Sequence, residues 1–439
     1  MKWGAGTVAL SVDGGGRPAE PDRSIWDDFC RWPDRVADGS RPSRGSDFTG
    51  HLDEDLASFR EAGLGTAAFT VSWSRIEPTG RGRADADGLG HYDRLVDRIL
   101  DAELTPLPTL HHWDLPAALE NMVGPHGGGW LNRDTIFRFR DYACTVAARL
   151  GDRLETLLVM NDPARLALEG YGEGRFPPGR SGGSYAAGGP IFGALHHQTL
   201  AVAATLAALR GETPSTRLGT IAGAVECVAA DDTQGALDAA EMVSSFLNHA
   251  HIGALTTGRY TAPIAEAFGG WFEDGDTDHL GADLDVLGVD PAGRATVAHT
   301  GGRVLTPRMS LPRIPRLPDD AADCFNRSLA DLSGQEGLKA DIIAFVRPGS
   351  SMVDQRRPGP PGGPDAIDDA DRADRLAGLI ASAEAAPGVT SGIVRPFLDG
   401  FEPVGGLADR QGLIHVDHAT HRRMRKRSWH LLARHLGAA

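Results

Sequence analysis

An amide, a carboxylate and a proline end one apolar run of the chain, at a position where polar groups could do chemistry. Residues 157–160 are apolar and of strand length, and Asn161, Asp162 and Pro163 follow directly. A buried parallel strand delivers polar groups in this way to a pocket at its carboxyl end. A carboxylate there can act as a general acid or base. Capping of local backbone amides, or an ion pair with Arg347, is the structural alternative for Asp162.

Two further charged residues stand after later apolar runs. Arg347 ends the run 341–346, and Glu402 closes the segment 398–402. An arginine close to Asp162 would lower the pKa of this carboxyl and keep it ionised, which favours a base over an acid. Arg347 could fill the pocket and neutralise Asp162 and Glu402. Alternatively, its planar fork could recognise a carboxylate, a phosphate or a developing oxyanion.

No pattern in the sequence predicts a metal or a cofactor. The cysteines lie far apart, without a CxxC pair, so neither a zinc site nor a disulfide framework is indicated; they are Cys30, Cys144, Cys227 and Cys324. The histidine pairs 111–112 and 196–197 are adjacent, so their side chains diverge. The acidic run 365–374 is typical of a solvated helix start.

The charge and length of the chain limit its partners. A formal charge of −15 on 439 residues argues against nucleic acid or an anionic membrane surface, because like charges repel. No stretch approaches the roughly 20 apolar residues of a membrane span, and the first apolar run is too short for a secretory signal. We therefore expect a cytoplasmic protein whose partner is a small molecule, sugar-like or anionic. The oligomeric state stays open.

Strand-like and helix-like segments alternate along the chain, which predicts an α/β fold, a (β/α)8 TIM barrel. Residues 1–439 are expected to form one domain with elaborated loops after the strands. The predicted strands are 6–12, 66–73, 105–110, 154–160, 218–222, 284–289, 341–346 and 392–398. The predicted helices are 53–62, 92–102, 132–150, 191–209, 236–250, 322–332, 370–385 and 422–436.

Several ordered motifs resemble those of the β-glucosidases of glycoside hydrolase family 1. They are SIWDDF at 24–29, VSWSRI at 71–76, TLHHWDLP at 109–116, GWLNR at 129–133, NDP at 161–163 and LDGFE at 398–402. The resemblance extends over essentially the whole chain. It implies the same barrel, with a site at the carboxyl ends of the strands and no cofactor.

The resemblance also implies a defect in the chemistry. Family members use two glutamates about 5 Å apart, one as acid/base and one as nucleophile. The acid/base position falls on Asp162, one methylene shorter, and a positional error near 1 Å can cost on the order of a hundredfold in rate. The nucleophile position falls on Arg347, which is cationic and has no available lone pair. Ordinary retaining hydrolysis is therefore not expected.

Other positions of the family site are changed as well. The arginine and the tyrosine that support the nucleophile fall on Ala68 and near Ala292, and the first sugar-contacting glutamine and glutamate fall on Ser11 and Asp13. Two tryptophans flanking the last motif fall on Arg395 and Pro403. Four sugar-facing groups remain, namely His112, Trp113, Asn161 and Glu402. We predict Asp162, Arg347 and Glu402 as catalytic candidates, and as ligand-binding residues Ser11, His112, Trp113, Asn161, Asp290, Arg395 and Asp399.

Three hypotheses follow from these residues. The chain could be a barrel that binds a small polar molecule without converting it. It could be an enzyme repurposed for proton transfer, elimination or cyclisation, with Asp162 and Glu402 as acid/base groups and Arg347 as an electrostatic stabiliser. It could also be a weak β-glycosidase that uses an unrecognised nucleophile, or a water molecule as inverting enzymes do. The composition, rich in Ala, Gly, Arg and Asp, is typical of a high-GC bacterial gene.

Overall fold

Eight parallel strands close into a barrel in the computed structural model, which describes residues 1–13, 24–124, 126–180, 188–299, 320–349, 355–357 and 366–438. Neighbours in sequence pair around the barrel, and the first strand closes on the last. The predicted (β/α)8 fold is confirmed. The strands are β1 Lys2–Gly6, β2 Thr66–Thr70, β3 Thr105–His111, β4 Thr156–Asn161, β5 Arg217–Ala229, β6 Val286–Val297, β7 Asp341–Val346 and β8 Val389–Val394.

Helices follow the strands along the chain. Those of eight residues or more in the described segments are Leu52–Glu61, Ala86–Asp101, Asp134–Leu150, Pro163–Tyr171, Pro190–Glu212, Gln234–Ser244, Ala250–Thr257, Ala321–Ser333, Ala370–Ala385 and Arg427–His435. Shorter helices are Ala9–Val12, Ile25–Phe29, Trp73–Ile76 and Ala117–Glu120. Two small antiparallel ribbons pair Gln355–Arg357 with Ala366–Asp368 and Ile414–Val416 with Arg423–Arg425.

The first strand lies earlier than predicted. Residues 6–12 were expected to be extended, but Ala9–Val12 is a helical turn and the strand is Lys2–Gly6. Close packing selects the glycine-rich segment, because a Cβ at Gly4 would lie 2.6 Å from the Cβ of Thr66 and 2.8 Å from a methyl group of Ile393. The apolar pattern of residues 8–12 resembles a buried strand, but the barrel needs a segment without side chains at this contact.

The interior of the barrel is filled by one cluster of side chains from its strands. Its members are Ala68, Leu107, Leu158, Ile221, Val286, Ile343, Phe345 and Ile393. The interior is thus a packed core, and the carboxyl ends of the strands meet above it at one mouth, where barrel enzymes place their sites. β5 and β6 continue well past the predicted 222 and 289 and pair as far as residues 229 and 297.

The helix Pro190–Glu212 is the one described helix that is long and apolar enough, by length and composition alone, to cross a membrane. From the sequence, no stretch was expected to approach the length and apolarity of a membrane span. Most of it is inside the fold, since 83% of its apolar window is buried. A core helix that packs on several neighbours is apolar all round for the same reason.

Candidate active site

Asp162 is the residue that joins β4 to the next helix. It has a positive φ of 43° and occupies the N-cap of the helix Pro163–Tyr171. Its Oδ1 accepts a hydrogen bond from the backbone N–H of Arg165 at 3.1 Å. Aspartate suits this position because its short side chain reaches back to the first helical turn. Of the two structural roles considered for Asp162, helix capping and an ion pair with Arg347, the structure shows helix capping.

The pKa of Asp162 is raised to about 6. Burial is the main cause, because the charged form loses water, and the opposing cations Arg165 and Arg347 only partly compensate. The nearby arginines do lower this pKa, as expected from the sequence, but burial outweighs them, so the expected net decrease does not occur. The cation that the expectation relied on, Arg347, is paired with another carboxylate.

That carboxylate is Asp290 of β6, which is fully buried and binds two arginines. Arg347 donates from Nε to Oδ1 at 3.0 Å and places Nη2 2.8 Å from Oδ2, which is a bidentate pair. Arg395 also donates to Oδ2, and to Oδ1 of Asn161 at 2.9 Å. Burial opposes the ionisation of Asp290, but Arg347 and Arg395 together hold its pKa below the ordinary value.

The retained sugar-facing positions lie against this ion cluster. His112 Nε2 is 3.5 Å from Nδ2 of Asn161, and the ring of His112 packs edge-on against Trp113. Trp113 donates from Nε1 to the carbonyl of Asn161 at 3.0 Å. Burial, with the charges of Arg395 and Arg347, holds the pKa of His112 well below its ordinary value, so the imidazole is neutral. These residues form one connected wall of the mouth.

Arg165 belongs to the same wall and was not predicted from the sequence. Its guanidinium lies over the rings of Trp113 and Phe176, at 5.4 and 5.8 Å from their centroids. Within the described segments it makes no ion pair and no side-chain hydrogen bond. The available signal was its spacing, because the third residue after a strand-end N-cap lies in the first helical turn, beside the mouth.

Glu402 lies in the last motif, close enough to Arg347 and Arg165 for both to affect its pKa. It is partly buried, and its carboxylate has no hydrogen-bond or ion-pair partner among the described residues. Burial and the charge of Asp409 raise its pKa to about 8, with Arg347 opposing. The group is therefore mostly protonated at neutral pH and can donate a hydrogen bond.

The two remaining predicted ligand residues sit behind the mouth. Ser11 is buried in the turn Ala9–Val12, and its carbonyl accepts a hydrogen bond from the N–H of Phe401 at 2.9 Å. Asp399 is fully buried and accepts from the N–H of Gly412 and from Nζ of Lys426, both at 2.8 Å. Lys426 and neighbouring cations hold the pKa of Asp399 far below its ordinary value against the opposing effect of burial. These contacts anchor the last motif, and the ligand-binding role of Asp399 stays a prediction.

A cavity opens beside Asp162, between β5, β6 and the helix that Asp162 caps. Ala292, near the position implied for a family tyrosine, is part of its wall, and Gly223 leaves room for the carboxylate, with which a Cβ would collide. Ala68, at the position implied for a family arginine, instead fills the barrel interior. Most of the cavity wall is apolar, from Leu168, Val225, Leu247, Ala292 and Ala295.

Metal ligands are not assembled in the described segments, where no group of three or more His, Cys, Asp or Glu side chains could hold an ion. Asp13, at the family's glutamate position, instead lies 3.1 Å from the guanidinium of Arg75. The polar groups described at the mouth are thus arginines, carboxyls and neutral donors.

Comparison with known proteins identifies relatives of the chain. The model of glycosyl hydrolase family 1 matches residues 1–305. A β-glucosidase of Agrobacterium sp. is 33% identical over 267 residues, 61% of this chain and 56% of that protein. A bifunctional β-D-glucosidase/β-D-fucosidase of Bifidobacterium breve is 31% identical over 293 residues, 66% and 61% of the two chains. The aligned part thus spans less than two thirds of these curated relatives.

Solved structures align over nearly the full length. The virulence factor SghA of Agrobacterium tumefaciens superimposes with a TM-score of 0.87 at 26% identity, covering 100% of this chain and 96% of that one. A β-glucosidase of Thermotoga maritima in complex with glucoimidazole gives a TM-score of 0.86 at 23% identity, covering 100% and 98%. The second likeness establishes the fold alone.

Proposed function

Because the chain belongs to glycosyl hydrolase family 1, we propose that it is a member that has lost the retaining nucleophile and acts on, or binds, a small polar molecule. One observation carries the proposal. Arg347, at the position implied for the nucleophile, forms a bidentate pair with the buried Asp290. A guanidinium held in this way cannot attack an anomeric carbon.

Two carboxyl groups with separated pKa values support a repurposed chemistry. Asp162 has a pKa of about 6 and Glu402 of about 8, so one is mostly ionised and the other mostly protonated at neutral pH. Such a pair suits proton abstraction by one group and proton donation by the other. We propose proton transfer, elimination or cyclisation as the reaction class, with Arg347 stabilising negative charge. Binding without conversion uses the same residues and is the alternative.

The wall of His112, Trp113 and Asn161 supports a ligand with hydroxyl groups. Structures of the Thermotoga maritima β-glucosidase hold glucoimidazole and deoxynojirimycin. For this chain, a sugar-like ligand is a proposal that rests on the retained wall. Cytoplasmic residence, and one domain over residues 1–439, stay predictions from the sequence.

The proposal is tested with purified protein and aryl β-glucosides and galactosides. We expect no release of the aryl group above background. Release that Asp162→Asn abolishes would favour the third possibility, a weak or inverting β-glycosidase. An inverting enzyme needs room for a water between its carboxyls, and the product anomer, followed by NMR, would identify it.

Conversion and binding are separated by a metabolite screen. Candidate small molecules are incubated with the protein and analysed by mass spectrometry, with Asp162→Asn in parallel. A product that disappears in the variant supports the repurposed enzyme. A ligand recovered unchanged from both proteins supports binding alone.

A further inference from the structure

Among the described residues, the mouth of the barrel holds more cations than its carboxylates neutralise. Three guanidinium groups are present, those of Arg165, Arg347 and Arg395. Two of them, Arg347 and Arg395, share the single carboxylate of Asp290. In addition, Nε of Arg395 is buried and has no hydrogen-bond partner in the described segments. One carboxylate shared by the buried Arg395 and the partly exposed Arg347 leaves positive charge at the mouth.

Arg165 adds a third charge without an ion-pair partner in the part of the chain described. It stacks on Trp113 and Phe176, contacts that hold its plane without neutralising it. Burial, and then repulsion by Arg347, lower the pKa of Arg165, which indicates that the two cations lie close to each other. Two like charges held together in this way favour an anion that bridges them.

The acidic side chains near Arg165 either have other partners or carry a proton. Glu169 is bound by both Nε and Nη2 of Arg175, at 2.5 and 2.8 Å. Asp162 uses one oxygen for its helix cap. Glu402 is mostly protonated at neutral pH. These acids leave at least one positive charge of the mouth for a ligand.

The cavity beside Asp162 indicates that the rest of the ligand is apolar. Arg165 is part of its wall, together with Asp162, Glu169 and Arg294. Most of the rest of its wall is apolar and includes two small residues of β6, Ala292 and Ala295. A cavity with a mostly apolar wall, next to the guanidinium groups of Arg165 and Arg347, fits a molecule with one anionic end and one apolar end.

We propose that the site takes a small amphipathic oxyanion, a carboxylate or a phosphate monoester, whose negative group binds Arg165 beside Arg347 and whose apolar body enters the cavity next to Asp162. The inference rests on the proposed function of the same mouth and narrows its ligand class. The overall charge of −15 does not attract such a ligand, so the arginines provide the recognition locally.

The test compares charged probes with a neutral isostere by isothermal titration calorimetry on the full chain. The probes are phenylacetate and phenyl phosphate, and the neutral control is phenylacetamide. Because hydrogen bonds to charged groups are the stronger class, we expect phenylacetate or phenyl phosphate to bind about ten- to a hundredfold more tightly than phenylacetamide. The better of the two identifies the anionic group.

Arg165→Met removes the unpaired charge and keeps an unbranched side chain over the two rings. We expect this variant to bind the anion no better than the amide. Without ligand it should unfold at a higher temperature than the unmodified chain, because a partly buried cation that has no ion-pair partner among the described residues is gone. Arg140→Met, on a surface side chain paired with Asp141, is the matched control and should change neither result.

Three outcomes overturn the anion site: equal affinity for phenylacetamide and the anions, an anion preference that survives in Arg165→Met, or no saturable binding of either anion. Hydrolysis of aryl β-glucosides is measured separately and refutes the proposed function. If the protein hydrolyses glucosides and still prefers the anions, only the proposed function is refuted. If it hydrolyses no glucoside and shows no preference for the anions, only the anion site is refuted.

Discussion

Glu402→Gln gives a direct test of the electrostatics of the mouth. The pKa of Glu402 is raised from 4.5 to about 8, mainly by burial. A carboxyl with a raised pKa keeps its proton in the folded state while the unfolded chain has already released it. The contribution of Glu402 to the free energy of unfolding is therefore greatest at low pH, and it is lost as the pH rises from about 4.5 to about 8. Glutamine keeps the shape of the protonated acid and cannot ionise, so the variant lacks this loss.

The magnitude follows from the shift. Between pH 6 and pH 9 the contribution of Glu402 to the free energy of unfolding falls by the equivalent of about two pKa units. One pKa unit corresponds to about 1.4 kcal/mol. The unmodified chain should therefore lose about 2.7 kcal/mol relative to Glu402→Gln over this range. For 439 residues the unfolding entropy is roughly 0.9 kcal/mol/K, so the difference in Tm should change by about 3 °C.

The assay is differential scanning calorimetry of both proteins from pH 5 to pH 9. Buried histidines titrate in both chains, so their contribution cancels in the difference. Glu155→Gln, on an exposed side chain, is the control and should follow the unmodified chain at every pH. Parallel curves for the unmodified chain and Glu402→Gln across the range would refute the assignment of a protonated Glu402.

Three further changes test individual contacts. Asp162→Ala removes the cap on Arg165 and should unfold about 1 kcal/mol more easily than Asp162→Asn, which keeps it; equal denaturant midpoints would contradict the cap. Gly223→Ala places a methyl group against the Asp162 carboxylate and should cost about 1–3 kcal/mol, and an unchanged Tm would show that the space is not tight. Asp290→Asn leaves the buried Arg395 and the partly exposed Arg347 without their anion and should cost about 3–5 kcal/mol, more than Arg347→Met, and the reverse order in urea would reject Asp290 as the centre of the cluster.

The fold follows from sequence wherever burial and pattern agree. Most barrel strands are apolar runs ended by polar or turn residues, so their positions were predictable to within a few residues. β1 was misplaced because its glycines are required by close contact with Thr66 and Ile393, which has no local signature. The extension of β5 and β6 was missed for a similar reason, because these strands support each other beyond the barrel.

Most residues of the site could be predicted from the sequence, but the ion pairs between them could not. Asp290, Arg347 and Arg395 were all named, but the sequence paired Arg347 with Asp162. The structure pairs it with Asp290, because the short Asp162 side chain turns back to its own helix. Arg165 was missed, since its importance depends on that turn and on the ring of Trp113 beneath it.

The loss of the nucleophile is the central claim, and a covalent trap tests it most directly. The protein is incubated with an activated 2-deoxy-2-fluoro-β-glucoside and its intact mass is measured. Retaining enzymes of this type form a glycosyl-enzyme through a carboxylate, and here the corresponding position is Arg347. We predict no increase in mass. A stoichiometric fluoroglucosyl adduct, mapped by peptide sequencing to any carboxylate of the mouth, would contradict the account.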